Sequence, residues 1–259
     1  SPTKYGPIID ESKLNKVEVN IHRYGKVLFE IDTNNFIAEV GKIQNEFSLF
    51  LGNDIDNPDK LAPLYQYVTD TQLVAISKYV KEIYPDLGNL EDQLADALAR
   101  YNYFFSSNFH PTVYSYISDL YYEKPIIIND SVIIIALDVY LGLDYTKYRS
   151  LGLPYYKIRR MTSDNIVIDV MKELFNLYID KHIKQKTLVD RMINGGKLMY
   201  YLDATLPSIP DSLKIGYTSA QMKWVDVNSS NVWAFLVKNQ LFYSPDYKTQ
   251  SNGPIVDWP

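Results

Sequence analysis

Cysteine is absent from this 259-residue chain. Disulfides, thiol nucleophiles and cysteine-ligated zinc are excluded with it, and the chain fits an oxidising or a reducing compartment. Histidine is scarce: His22, His110 and His182 are the three, and no two lie within four residues of each other. A zinc peptidase of the usual helical type needs two imidazoles one turn apart, with a glutamate to activate water, and that arrangement is missing. One histidine on a strand, one before a proline and one among lysines read as structural or surface residues; zinc held by all three through tertiary folding is the weaker alternative. There is no Gly-x-Ser-x-Gly elbow and no phosphate loop of the Walker or Rossmann form. Gly195-Gly196-Lys197 sits inside a helical pattern without a preceding strand. The longest apolar run, residues 131–137 (SVIIIAL), is strand-length, far short of the ~20 residues of a membrane span. Cations are outnumbered, 26 Lys and Arg against 31 Asp and Glu, so a stripe for nucleic-acid backbones is not expected. The nearest thing to a basic patch, residues 181–186 (KHIKQK) with Arg191 nearby, reads as a solvated helix end. No signal peptide is legible and the first residue is Ser1, so the chain is expected to be a mature or trimmed form.

Tyrosine is abundant, 23 residues against 10 Phe and 3 Trp. Such rings either fill the core with their hydroxyls reaching water, or form an aromatic surface for a protein or a glycan. A chain of this length makes one large domain or two small ones, burying roughly 70–75% of its unfolded surface. The expected organisation is a polar tether over residues 1–15, one domain over 16–246 and a tail over 247–259.

Within the domain, residues 17–21 alternate as a strand, Tyr24-Gly25-Lys26 turns, and 27–31 continue apolar. A helix follows from Asn34 or Asn35, with Phe36, Ile37, Val40, Ile43 and Phe47 on one face. Residues 52–63 read as a loop; its Asn53-Asp54-Ile55-Asp56-Asn57 lacks the spacing of a calcium loop and fits turn chemistry. A capping box, Thr69-x-x-Gln72, opens a helix that Pro85 stops, and Asn89 can cap the next. Residues 112–118 alternate as a strand. Residues 125–128 (PIII) and 131–137 (SVIIIAL) form a β-branched hairpin turned at Asn129-Asp130, apolar enough that both faces should be covered. From Thr162 or Ser163 the strongest helix begins, carrying Ile166, Val167, Val170, Met171, Leu174, Phe175 and Tyr178. The next, over 188–202, contains Gly195-Gly196, which implies close packing or a kink because a glycine pair costs about 2 kcal/mol of helix propensity. Thr218-x-x-Gln221 caps a last helix bearing Val232, Trp233, Leu236 and Val237. The fold class is α+β, mostly helical, with a small buried antiparallel sheet around the 125–138 hairpin.

Any site is expected beside the hairpin exit and the helix that starts at Ile166. The polar groups nearest these apolar blocks are Asp138, Tyr140, Asp144, Arg159, Arg160, Asp169, Lys197 and Asp203. Asp138 and Asp144 are the best candidates for a glycosidase carboxylate pair; capping and ion pairing at the turn is the preferred reading. Likewise Arg159 or Arg160 paired with Asp138 or Asp169 would specify packing rather than chemistry.

Five blocks in order resemble the GldB family of gliding-motility lipoproteins from Bacteroidetes: residues 129–144 (NDSVIIIALDVYLGLD), 159–171 (RRMTSDNIVIDVM), 192–207 (MINGGKLMYYLDATLP), 212–224 (SLKIGYTSAQMKW) and 235–244 (FLVKNQLFYS). Residues 17–29 (VEVNIHRYGKVLF) fit the usual start of the mature domain, so the resemblance covers roughly 16–246. It implies an exported envelope protein, facing the periplasm and held to the membrane only through an upstream lipidated cysteine that this chain lacks. It also implies partners among motility or secretion proteins, and no cofactor. The family's domain resembles predicted zinc peptidases, with a hairpin followed by a His-Glu-x-x-His helix. Here that helix reads Ile168-Asp169-Val170-Met171-Lys172: an acidic residue remains and both metal ligands are gone, which leaves no basis for zinc. The implied function is therefore noncatalytic protein binding in gliding or the associated secretion. A divergent peptidase or carboxylate-based glycosidase, motivated by Asp138, Asp144 and Asp169, and a glycan-binding module, motivated by the tyrosines, are the alternatives.

Overall fold

The computed structural model describes residues 7, 9–53, 55, 57–179 and 187–245. Lys-rich residues 181–186 with His182, Asp54 and Asp56 of the acidic loop, residues 1–6 and 8 of the amino-terminal tether and the tail 247–259 lie outside the described residues. The chain forms two compact units, Asn15–Ala99 with Asn108–Val170, and Ser1–Leu14 with Arg100–Ser107 and Met171–Pro259. The class is α+β, mostly helical, as expected.

The first unit is built on four strands: β1 (Ile21–His22), β2 (Thr112–Tyr116), β3 (Ile126–Asn129) and β4 (Val132–Ala136), in the order β1-β2-β4-β3. The hairpin β3–β4 is antiparallel as expected, but the sheet is mixed, because β2 runs parallel to both β1 and β4. Its turn sits one residue later than expected. Asn129 pairs with Val132, leaving Asp130 and Ser131 as the loop, and Asp130 takes φ 47°, a left-handed value aspartate tolerates. The register places Val113, Ser115, Ile133, Ile135, Ile126 and Ile128 on one buried face. On the other, Tyr114 and Tyr116 are half-buried against a cluster around Tyr24, Leu28, Val40 and Phe47.

That cluster corrects the expectation for the amino-terminal stretch. Residues 24–31 are helical rather than a turn followed by an apolar run: α1 spans Tyr24–Glu30. Tyr24, Val27, Leu28 and Ile31 fall at i, i+3, i+4 and i+7 and all pack into the cluster. The strand expected over 17–21 shrinks to β1. Next come α2 (Phe36–Ile43) and α3 (Ser48–Leu51), split before Phe47, and then α4 (Pro58–Thr69), which claims half of the expected loop. Pro58 suits a first helical turn, and Asn57 caps it by accepting from Asp59 N at 3.0 Å. The helix α5 (Thr71–Ile83) is capped by Asp70, which accepts from the N–H groups of Gln72 and Leu73, so the Thr69 box is not used. Asp86 rather than Asn89 serves the start of α6 (Gly88–Phe105), accepting from Gly88 N. Two short helices, α7 (Lys147–Ser150) and α8 (Tyr155–Ile158), lead into α9 (Ile166–Ile179), where Ile166, Val167, Ile168, Val170, Met171 and Leu174 are buried.

The second unit takes the ends of α6 and α9 together with α10 (Leu188–Thr205), α11 (Asp211–Ile215) and α12 (Ser219–Lys238). Capping boxes start α10 at Thr187 and α12 at Thr218, the second as expected. Gly195 and Gly196 do not mark close packing: a Cβ on either would meet nothing within 4 Å, and α10 continues through them. The apolar stripe expected on α12 buries only Leu236, while Trp233 and Val237 stay more than half exposed.

Candidate functional site

The hairpin delivers Asp138 to the centre of the first unit, where its side chain is wholly buried. The carboxylate accepts from Ser118 N at 2.9 Å, from Ser118 Oγ at 3.1 Å and from Leu120 N at 2.6 Å. Asp119 and Leu120 both carry left-handed φ angles, 59° and 60°, so Asp138 closes an unusual turn after β2. Burial pushes this carboxyl above the ordinary aspartate range, while the bonds from Leu120 and Ser118 pull it back.

Two tyrosines fasten the segment after Asp138. Tyr148 donates to Asp138 O at 2.7 Å and accepts from Leu141 N at 2.9 Å. Tyr84 donates to Tyr140 O. Burial raises the pKa of both phenols, keeping them neutral donors. The hydroxyls of Tyr67, Tyr84 and Tyr148 thus end on backbone carbonyls, so the expectation of core rings with wet hydroxyls fails for them.

Tyr140 carries the network outward. Its buried hydroxyl donates to Asp169 Oδ2 at 3.1 Å, and Arg160 Nη2 donates to Asp169 Oδ1 at 2.7 Å. Burial, then the Asp169 charge, raises the Tyr140 pKa well above its ordinary value. These three groups border a cleft of about 390 Å³ whose other walls include Val139, Tyr122 and Lys157. Lys157 Nζ stands 5.6 Å from the Tyr122 ring centroid, a cation–π contact.

Of the eight candidate residues, Tyr140, Arg160 and Asp169 meet at this cleft. Asp138 is adjacent in the chain but directed at Ser118 and Leu120. Asp144 is exposed and Arg159 half-buried, neither lining the cleft. Lys197 and Asp203 belong to the second unit; Lys197 is exposed, and Asp203 accepts from the fully buried Lys214 Nζ at 2.8 Å. Sequence reasoning did not single out Tyr122, Lys157, Tyr148, Ser118 or Lys214. The run of tyrosines after the hairpin, Tyr140, Tyr145 and Tyr148, was a visible signal for Tyr148; nothing in the sequence announces a donor shell made of backbone N–H groups.

Chemically the arrangement is a set of satisfied acceptors. Asp169 is held by a guanidinium and a phenol, and Asp138 by backbone and hydroxyl donors, so neither stands poised to take a proton from water. Among the described residues, no group of three or more His, Cys, Asp or Glu is placed to hold a metal ion. His22 contacts Glu46 at 3.2 Å and His110 contacts Asn108 at 3.0 Å. Among the described residues, no helix is long and apolar enough to cross a membrane.

Residues 7–252 match the protein family described as "Gliding motility protein GldB", a family of lipoproteins. No curated protein and no solved structure matches the chain.

Proposed function

The chain belongs to the GldB family of gliding motility proteins, and from this premise we propose that it is a noncatalytic cell-envelope lipoprotein that supports gliding, or the secretion tied to it, by binding another protein. In this reading it faces the periplasm of a member of the Bacteroidetes, and its first unit is a zincin-like scaffold whose metal ligands have been replaced by Ile168 and Lys172. The observation that carries the proposal is the closed pairing of Arg160, Asp169 and Tyr140. A hydrolase of either proposed kind needs a carboxylate, or a metal-bound water, free to act on substrate. Here the carboxylate on the helix after the hairpin is spent on fixing that helix to the hairpin exit, Asp138 is wholly buried, and Glu123, the other carboxylate on the cleft wall, is solvent-exposed and belongs to no metal-binding group among the described residues. The glycosidase pair also lacks support, since Asp144 is exposed while Asp138 is wholly buried and bound by Ser118 and Leu120.

Complementation tests this reading. A deletion strain should lose colony spreading and the secreted protein profile, and the wild-type gene should restore both. Genes encoding Asp138→Asn or Asp169→Asn, shown to fold, should restore them as well. If folded Asp169→Asn protein leaves spreading abolished while purified wild type cleaves a peptide or a glycan, the noncatalytic reading is wrong.

A further inference from the structure

The first unit has a second cleft, of about 210 Å³, between α1 and α5. Helical spacing makes it basic. Arg23, Lys26 and Glu30 fall at i, i+3 and i+7 along α1 and its N-cap; Lys78 and Lys81 fall at i and i+3 on α5. Four cations and one carboxylate therefore line it in a chain whose formal charge is −5.

The cations are not equivalent. Lys81 Nζ donates to Glu30 at 2.6 Å, and this bond holds the Glu30 carboxyl below its ordinary value, helped by the charges of Lys26 and Arg23. Arg23 is pinned at the end of α5, where its two Nη atoms donate to the carbonyls of Pro85 and Tyr84, and Asp86 and Glu91 act on its charge. Its Nε is buried without an acceptor. Lys26 and Lys78 are exposed, and neither forms an ion pair among the described residues. Two ammonium groups without an ion-pair partner among the described residues thus face one cleft from opposite helices, Lys26 feeling the Glu30 charge only at longer range. Phe29 and Ile117 make part of its wall, and low-dielectric walls strengthen attraction for an entering charge.

We propose that this cleft binds a phosphate-type anion clamped between Lys26 and Lys78, with Arg23 and Lys81 supplying additional positive field. Phosphate fits the chemistry because a dianion answers both free ammonium groups at once and its tetrahedral oxygens can reach two walls. Lysine binds phosphate as a point charge, without the flat two-pronged geometry that arginine offers a carboxylate. A phospholipid head and a soluble phosphoryl compound both present this group, and the two probes below separate them. The site is independent of the Arg160–Asp169 cleft and of the proposal made for it.

The test uses the purified chain with two probes: inorganic phosphate, followed by calorimetric titration and phosphorus NMR, and phosphatidylcholine vesicles with and without phosphatidic acid, followed by cosedimentation. Phosphate should bind, more weakly as salt rises. Lys26→Gln and Lys78→Gln should each weaken binding about threefold and the pair about tenfold, while Glu30→Gln should tighten it. The lysines are exposed, so these variants should keep the wild-type unfolding transition. Binding of phosphatidic acid vesicles above the neutral control assigns the site to a lipid head; phosphate binding without it assigns a soluble source. No binding of either probe, or undiminished binding by the folded double variant, overturns the proposal.

Discussion

Ser118 donates twice to Asp138, from its backbone N–H at 2.9 Å and from its hydroxyl at 3.1 Å. With the third bond from Leu120 N, one carboxylate holds a turn whose two residues, Asp119 and Leu120, are left-handed without being glycine. That conformation costs such residues about 1–2 kcal/mol each. Asp138→Ala would strand the Ser118 and Leu120 donors and release the turn. The expected loss is about 3 kcal/mol in urea unfolding with an unchanged m value, and Asp138→Asn, which keeps one acceptor, should lose about half as much. An alanine variant as stable as wild type would mean the turn is held by other contacts.

The same carboxyl predicts a pH dependence. Burial raises its pKa in the folded chain, whereas the unfolded chain has the ordinary aspartate value near ~3.9. Between these two values the folded state binds more protons than the unfolded one, so stability from this group falls as pH rises. Its contribution is complete below about pH 3.9 and is lost as pH passes through the raised folded value. The unfolding midpoint of wild type, measured relative to Asp138→Asn, should therefore decline as pH rises above about 4. A flat difference would show that the carboxyl titrates as it does when unfolded.

The Arg160–Asp169 pair is partly buried, the side chains being 27% and 23% exposed, so it should contribute more than a surface ion pair but less than a closed one. Arg160→Met leaves Asp169 with the Tyr140 hydroxyl donating at 3.1 Å, and a loss of about 1–2 kcal/mol is expected. Asp169→Asn should lose a similar amount, and the double variant less than the two together, a coupling of roughly 1 kcal/mol. Fully additive losses would remove the pairing as the reason these residues stand there.

What could be read from the residues follows from how each element is stabilised. The helix α9 and the hairpin β3–β4 bury most of their own side chains, so the 3.6-residue apolar period of the one and the continuous β-branched runs of the other are written directly into the chain. By contrast α1 is seven residues long and starts Tyr24-Gly25, which reads locally as a turn; its stripe becomes meaningful only against the rings of Phe47 and Phe50. The helix α4 was obscured by Pro63 inside it and by the polar residues that cap it. At the site, Arg160 and Asp169 were legible as opposite charges nine residues apart beside a strong helix. The shell around Asp138 was not, because its donors are mostly backbone N–H groups and any residue type can supply those. Lys197 and Asp203 were grouped with the site because their sequence block is apolar, but closeness to an apolar block does not bring residues to the same unit.

Glycines provide the sharpest contrast between pattern and packing. At Gly25 a Cβ would stand 3.1 Å from Ile117 Cγ1, from Ile117 N and from Tyr116 C. Two of those atoms are backbone at and just beyond the end of β2, so they cannot swing aside, and α1 would have to lift from the sheet. Gly25→Ala should therefore destabilise by about 1–3 kcal/mol, the usual cost of forcing atoms into a filled space. It should also loosen the α1–α5 cleft, of which Gly25 forms part. At Gly195 and Gly196 the same added atom meets nothing within 4 Å, and both residues are exposed in the interior of α10. There alanine restores helix propensity at no steric cost, so each substitution should stabilise by about 0.5–1 kcal/mol. Thermal and urea unfolding of the three single variants decide the matter. A destabilised Gly195→Ala or Gly196→Ala would mean that this face of α10 is covered by something in solution, and a neutral Gly25→Ala would mean that α1 sits further from β2 than 3.1 Å contacts allow.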